Sequence, residues 1–420
     1  MKILYISQYF PPEMGAPAAR VHELSRAWVA RGHAVTVLTA FPHHPSGVIP
    51  PAYRGFRYLR ETVDGIDVLR TWVYATANKG FARRTLSYVS FMLSAVLIGL
   101  PGLLARRYDV VIATSPQFFV AVAGWVISTI LRRPFVFEVR DIWPASIEAV
   151  GAISNKKAIA FLEKIEMTLY RRARLVVAVA DSTVDILSRR GVPAGKIAVV
   201  KNGVDLAKFR PLARDNSVRT QYGLGAKFVC SYIGTIGLAH GLDIILDAAD
   251  RTKSDDALVY LVVGEGARRR ELQDAAAARG LRNVIFTGET PRDRVPEFLA
   301  ASDAVLVHLR KAELFEAVIP SKIFEIMAAA RPVIMGVGGE AGEIIRTANA
   351  GVLIEPENTD EFLEALRVLR NDPAAAQAMG RRGRAFVEAN FDRQVLAEKY
   401  LQLLEKTALV PRDSHVAVDT

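Results

Sequence analysis

A chain of 420 residues is long enough for two or three domains, each burying a core of its own. Its 51% hydrophobic and 23% charged residues describe a globular protein, rather apolar for a soluble one, and the lone Cys230 excludes an internal disulfide and fits a reducing compartment. The net charge of +10 and pI near 9.6 point to anionic surfaces or phosphorylated ligands, and no recognisable nucleic-acid motif accompanies the charge.

The N-terminus opens on an apolar strand, Lys2 to Ser7, with no cleavable signal peptide expected. The loop Pro11-Pro-Glu-Met-Gly15 leads to a helix bearing Val21, Leu24 and Trp28, and Gly32 ends that helix before a strand at Val35 to Thr39. This is one unit of a doubly wound parallel sheet, whose ligands bind beyond the carboxyl ends of the strands. Gly15, where backbone can approach a ligand, and His43 and His44 in the loop Phe41 to Gly47 fall at such ends. The loop lacks a Gly-x-Gly-x-x-Gly pattern, which argues against a dinucleotide dehydrogenase.

Residues 85–105 carry no charge and lie between Arg83-Arg84 and Arg106-Arg107. They are long enough to cross a membrane, but a single crossing would separate the strand at Asp109 to Thr114 from its sheet partner at residues 2–7. Two readings remain: a helix buried in the domain, or a favoured one lying in the bilayer interface and broken near Gly99-Leu-Pro-Gly102. Phe118 to Leu131 is a second apolar run that either adds to this surface or forms a core helix. A strand ending in Val139-Arg-Asp-Ile-Trp-Pro144 then places Arg140, Asp141 and Trp143 at the ligand side of the sheet. Asp181-Ser-Thr is read as the cap of a later helix.

Asn202-Gly marks the junction, and a second sheet begins at Phe228 to Ile233. Its loops carry Thr235, Gly237 and His240, then Gly264-Glu-Gly266, Gly288 and Arg310. The segment Glu313 to Ile334 is the most informative. Ser321 is expected to cap a helix whose amides form an anion site, Lys322 adds a charge there, and Glu325 stands one turn on with acceptors for sugar hydroxyls. Asp255-Asp256 is read as a surface turn, with no metal cluster around it.

Over nearly the whole chain the motifs resemble the retaining glycosyltransferases of family 4, which have the GT-B fold. They are Gly15, Gly32-His33, Asn202-Gly-Val-Asp205, Val263-Gly-Glu-Gly266, Phe286-Thr-Gly288, Ala301-Ser-Asp303, Pro320 to Ala328 and Ala350-Gly351, in that order. The resemblance implies an α/β architecture of two Rossmann-like domains facing a cleft: an acceptor domain at 1–204, a donor domain at 205–390, a helix at 391–406 returning to the first domain and a loose tail at 407–420. The blocks Phe41 to Gly47, Val139 to Pro144 and Val318 to Glu325 are similar to those of bacterial transferases that add N-acetylated amino sugars, such as N-acetylfucosamine, to lipid-linked polysaccharide precursors.

The resemblance further implies retaining transfer from a nucleotide-sugar donor, UDP-linked and without metal, to a polyprenyl-diphosphate-linked saccharide at the cytoplasmic face of a membrane. Lys322, Asp141 and Arg140 would do the chemistry. Gly15, Gly237, His240, Gly264, Gly288, Arg310, Glu316, Ser321 and Glu325 would bind the donor, and His43, His44 and Trp143 the acceptor. The family's diphosphate-binding Arg and Lys are replaced by Thr235 and His240, and the first of its paired glutamates by Ala317, for which Glu313 or Glu316 is the candidate substitute. Two alternatives stay open: a nucleotide-sugar 2-epimerase and a non-catalytic sugar-nucleotide or lipid-binding subunit.

Overall fold

The computed structural model describes residues 1–409 except 14, 45, 77–80, 144–154 and 317, and the side chains of 81, 313 and 314 are also left aside. The chain divides into two compact units, Met1–Asn202 together with the chain from Gln394 on, and Gly203–Arg393.

The first unit alternates β1 (Lys2–Ile6), α1 (Ala16–Ala30), β2 (Ala34–Ala40), the hairpin β3 (Tyr58–Val63) and β4 (Ile66–Thr71), α2 (Phe81–Ser94), α3 (Leu100–Leu104), β5 (Val110–Thr114), α4 (Phe118–Leu131), β6 (Phe135–Val139), α5 (Lys156–Arg172), β7 (Leu175–Ala178), α6 (Asp181–Arg189) and β8 (Ile197–Val199). The sheet order is β3-β4-β2-β1-β5-β6-β7-β8, parallel except for β3 against β4. The β1, β5 and β6 side chains are buried almost throughout, as a parallel sheet covered on both faces requires. The order reverses beside β1, so the loops after β1, β2 and β5 gather at the switch point.

A five-residue π turn, Ala95–Gly99, joins α2 to α3, so the helix is not broken at Gly99-Leu-Pro-Gly102. The π turn absorbs the register change before Pro101, whose missing amide falls in the first turn of α3. The continuous helix Ala82–Leu104 is long and apolar enough to cross a membrane; its most apolar window has a mean hydropathy of 1.8, and half of that window is buried in the unit. Its inner face carries Phe91, Ala95 and the buried seryls Ser87, Ser90 and Ser94. Ser90 Oγ accepts from the Tyr74 amide at 2.9 Å and Ser94 Oγ donates to the Trp72 carbonyl, which seats the helix on the segment after β4. The outer face exposes Leu86, Leu93, Leu97 and Leu104. The helix α4 packs against α2 and turns a mostly buried face inward, so the second apolar run is chiefly a core helix. Asp181 stands in the first turn of α6 rather than at its cap: the N-cap position is Ala180.

The second unit contains α7 (Ser217–Gln221), β9 (Phe228–Ile233), α8 (Asp243–Arg251), β10 (Leu258–Val263), α9 (Arg269–Ala278), β11 (Val284–Gly288), α10 (Val295–Ala301), β12 (Ala304–His308), α11 (Glu313–Glu316), α12 (Lys322–Ala328), β13 (Val333–Gly336), α13 (Gly339–Ala348), β14 (Gly351–Leu353), α14 (Thr359–Asn371) and α15 (Pro373–Asn390). Its sheet is wholly parallel, order β11-β10-β9-β12-β13-β14, with the switch point between β9 and β12. The last helix, α16 (Arg393–Leu409), packs in the first unit: Trp28 Nε1 donates to the Ala397 carbonyl at 2.8 Å, and Tyr400 meets the Trp28 ring edge-on at 5.5 Å. The expected tail lies largely outside the described residues.

Candidate active site

The loops that leave β9, β10 and β11 in the second unit keep bonding to one another past the strand ends. The Gly234 amide donates to Val263 (2.9 Å), that of Ile236 to Glu265 (2.8 Å) and that of Gly264 to Gly288 (3.0 Å). The backbones approach so closely that a Cβ on Gly264 would stand 2.0 Å from the Gly234 carbonyl oxygen, at φ +136°. Only glycine fits there, so a bare backbone surface forms at the carboxyl end of the sheet.

Lys322, at the start of α12, reaches into this surface. Its ammonium lies 4.1 Å from the centroid of the Tyr232 ring and 2.6 Å from where a Gly234 Cβ would stand. The Nζ atom is buried without a hydrogen-bond partner among the described residues. Burial lowers its pKa to about 8 against the opposing pull of Glu325, so the cation persists at neutral pH. A buried ammonium without an anion among the described residues, beside glycine loops, has the chemistry to receive an anionic ligand.

His240 accepts the Gly237 amide at Nδ1 (3.2 Å), leaving Nε2–H as a donor. Burial, followed by the charge of Lys322, pushes its pKa down to about 4, so the ring is neutral and supplies a hydrogen bond rather than a charge. Its carbonyl accepts from Nδ1 of the buried His308 (2.7 Å), whose Nε2 in turn accepts the Glu357 amide (2.8 Å). This chain fixes the His308 tautomer and ties the His240 loop to the loop before α14.

Ser321 does not act as expected. It sits in helical conformation without a side-chain capping bond, α12 has only seven residues, and the Ile323 and Phe324 amides already donate to Pro320 and Ser321. The positive charge at the start of α12 is that of the Lys322 side chain. Glu325 projects from the same helix and pairs with Arg292 at 3.1 Å. Arg310 is exposed and its amide donates to Ala239, which places it on the rim of the His240 loop. Glu316 is exposed on α11. Ala317 and the Glu313 side chain lie outside the described residues, so the substitute for the missing glutamate stays undecided between Glu313 and Glu316. Asp255 is engaged by Arg370.

In the first unit, Gly15 is the N-cap of α1 at φ +139°, and a Cβ there would make only an ordinary contact, 3.8 Å from Pro17 Cδ, so the backbone angle rather than crowding calls for glycine. Just before it, the buried Glu13 accepts the amides of both His43 and His44 at 2.8 Å, clamping the loops after β1 and β2 together. His43 is buried, its Nδ1 donating to the Phe41 carbonyl at 2.9 Å, and cannot meet an acceptor directly. His44 is half-buried, its ring 4.9 Å from that of Tyr9. Trp143 is also buried, stacked on Phe118 at 6.0 Å and set edge-on to Tyr88. Both expectations of direct acceptor contact are therefore corrected: these rings support the loop from beneath.

Arg140 and Asp141 make no ion pair with each other among the described residues; their amides both donate to Ser115 Oγ, at 2.7 and 3.2 Å. Asp141 remains exposed, while Arg140 Nη1 is buried without a hydrogen-bond partner among the described residues. Beneath them the buried Glu138 pairs with Arg20 at 3.0 Å and accepts from Tyr5 and Thr114. Arg20 also holds the carbonyls of Val200 and Lys201 and the Asn202 side chain, fixing the chain where it leaves the unit.

Sequence reasoning missed Glu13, Tyr232, His308 and Arg292. Glu13 sits in the noted loop and Arg292 follows the noted Gly288, so adjacency was a usable signal. Tyr232 and His308 are interior strand residues that look like core by pattern.

Residues 15–203 match the glycosyl transferase 4-like domain, and residues 217–386 match glycosyl transferases group 1. A protein of Escherichia coli (strain K12), named as a colanic acid biosynthesis glycosyl transferase, WcaI, is 27% identical over 380 residues, 87% of this chain and 91% of that one. The glycogen synthase of Mycobacterium tuberculosis is 26% identical over 96% of this chain and 94% of its own length. Among solved structures, Anabaena Alr3699/HepE in complex with UDP-glucose superposes with a TM-score of 0.72 at 20% identity, over 96% of this chain and 99% of that one. WaaG, a glycosyltransferase involved in lipopolysaccharide biosynthesis, gives 0.67 at 17%, over 96% and 99%. Two glycosyltransferase domains in tandem, each a Rossmann-like α/β unit, make this chain a glycosyltransferase with neighbours of the GT-B fold. It transfers a sugar from a nucleotide sugar and is related to WcaI.

Proposed function

We propose that the protein transfers an N-acetylated amino sugar, such as N-acetylfucosamine, from a UDP-sugar to a polyprenyl-diphosphate-linked saccharide, with retention at the anomeric carbon, in bacterial surface polysaccharide synthesis. The observation that carries the reading is the unpartnered Lys322 ammonium among the glycine loops, with Glu325 one turn on. The donor diphosphate would take the place of the missing anion beside Lys322, and His240 Nε2–H would donate to it. Glu325 would accept from the ribose hydroxyls while Arg292 holds its other face. The anomeric carbon–oxygen bond to the diphosphate breaks as the acceptor oxygen bonds to that carbon, and the acceptor proton passes to the leaving diphosphate. The protein stabilises charge and aligns the reactants, needing no metal where Lys322 suffices. Asp141 would orient the acceptor or the donor sugar, and Arg140, whose buried Nη1 has no partner among the described residues, would assist it.

Support for a lipid-linked acceptor comes from the leucine face of α2 and α3, flanked by exposed Arg83, Arg106 and Arg107. A protein resting on the membrane through that face meets its acceptor there. The test is calorimetric titration with UDP, GDP and NAD. Saturable UDP binding is expected, weakened roughly tenfold or more in Lys322→Ala and measurably in Glu325→Ala. UDP binding indifferent to both substitutions would remove this site as the donor site. A donor screen with lipid-linked acceptors follows from a positive result.

A further inference from the structure

The buried Lys322 ammonium has no hydrogen-bonded partner among the described residues, yet it is held in one place. Two features hold it. The Tyr232 ring lies beneath it at 4.1 Å, and Gly234 leaves the space that a Cβ would take 2.6 Å from Nζ. Tyr232 is itself fixed: it is 1% exposed, and its hydroxyl donates to the Thr235 carbonyl at 2.6 Å, within the same loop. The other groups facing the ammonium are His240, neutral and edge-on to the same ring at 6.0 Å, and Glu325 on the same helix, already paired with Arg292. Among the described residues, no carboxylate closes on Nζ.

We infer that Tyr232 is a positioning residue, whose ring seats the Lys322 ammonium so that a charge from α12 stands where the loop after β9 carries only Thr235 and His240. The ring attracts the cation through its quadrupole without neutralising it, and so leaves the ammonium available to an arriving diphosphate. A carboxylate in the same place would compete with the ligand. The inference rests on the donor reading for the identity of the ligand but not for the seat itself.

The experiment uses the full chain, with Tyr232→Phe and Tyr232→Leu. Competitive acylation of lysines across a pH series, read by mass spectrometry on the Lys322 peptide, gives the titration of that amine in the free protein. UDP titration calorimetry runs beside it. The Phe variant keeps the ring and loses only the hydroxyl, so Lys322 should titrate near pH 8 as in the parent. The Leu variant keeps the apolar bulk and loses the attraction. Its Lys322 should titrate lower, and UDP affinity should fall roughly tenfold. A purely structural role would weaken binding without moving the titration. An unmoved Lys322 titration in a folded Leu variant overturns the inference. A lowered titration with no UDP binding by the parent protein supports the seat and removes the donor reading instead.

Discussion

At the scale of single residues, Glu13 is the group whose placement has the clearest consequence. Burial raises its carboxyl from the ordinary 4.5 to about 7, against the His43, His44 and Phe10 amides and the charge of Arg70. A carboxyl raised on folding keeps its proton in the native state where the unfolded chain has lost it. Its contribution is therefore complete below about pH 4.5 and declines as pH rises through 7. The full shift corresponds to about 3 kcal/mol. In Glu13→Gln the amide oxygen still accepts the two loop amides, and the slope should vanish. The difference in unfolding free energy between parent and variant is expected to change between about pH 4 and 7.5, the interval spanned by the unfolded and folded carboxyl, and to level off outside it. Parallel curves would show that Glu13 does not titrate there. Glu166, also raised to about 7 by burial, is present in both proteins and cancels. The clamp was not legible in the sequence, because Pro-Pro-Glu looks like a solvated turn until the loop after β2 closes over it.

Among the elements, the long apolar helix shows how pattern and packing divide the information. An uncharged run between arginine pairs was legible, and so was the argument against a single crossing. Which side chains turn outward was not, since the π turn resets the helical phase and the seryls at 87, 90 and 94 turn out to be the buried face. The exposed residues are Leu86, Leu93, Leu97 and Leu104, the last two 72% and 58% accessible. A double Leu93→Glu, Leu97→Glu variant removes two apolar anchors and adds two charges that repel an anionic bilayer. Cosedimentation with phosphatidylglycerol vesicles should fall by roughly tenfold or more while the unfolding temperature changes little. Unchanged partitioning would exclude this face as the membrane contact. The short helix α12 is the opposite case. Lys322 and Glu325 lie one turn apart on it, as the spacing implied, but Ser321 was assigned a cap that the local backbone does not form.

For the whole molecule, the return of α16 to the first unit ties residues far apart in the chain into one core. Tyr400 is fully buried against Trp28, itself stacked on Tyr5. Tyr400→Ala should cost about 3–5 kcal/mol and lower the first unit's unfolding transition. UDP affinity should be unaffected, because the groups proposed to hold the nucleotide belong to Gly203–Arg393. A loss of UDP binding at temperatures where the variant is folded would contradict that division. What the sequence determined by itself was the alternation of apolar strands and amphipathic helices, the glycines at strand ends and the order of motifs. These depend on local periodicity and turn chemistry, which are written along the chain. Tertiary structure alone decided which side chains meet: Lys322 over Tyr232, His240 bonded through its carbonyl to His308, Glu13 under two loop amides. Those contacts arise where parallel strands distant in sequence end side by side, and spacing along the chain carries no record of that proximity.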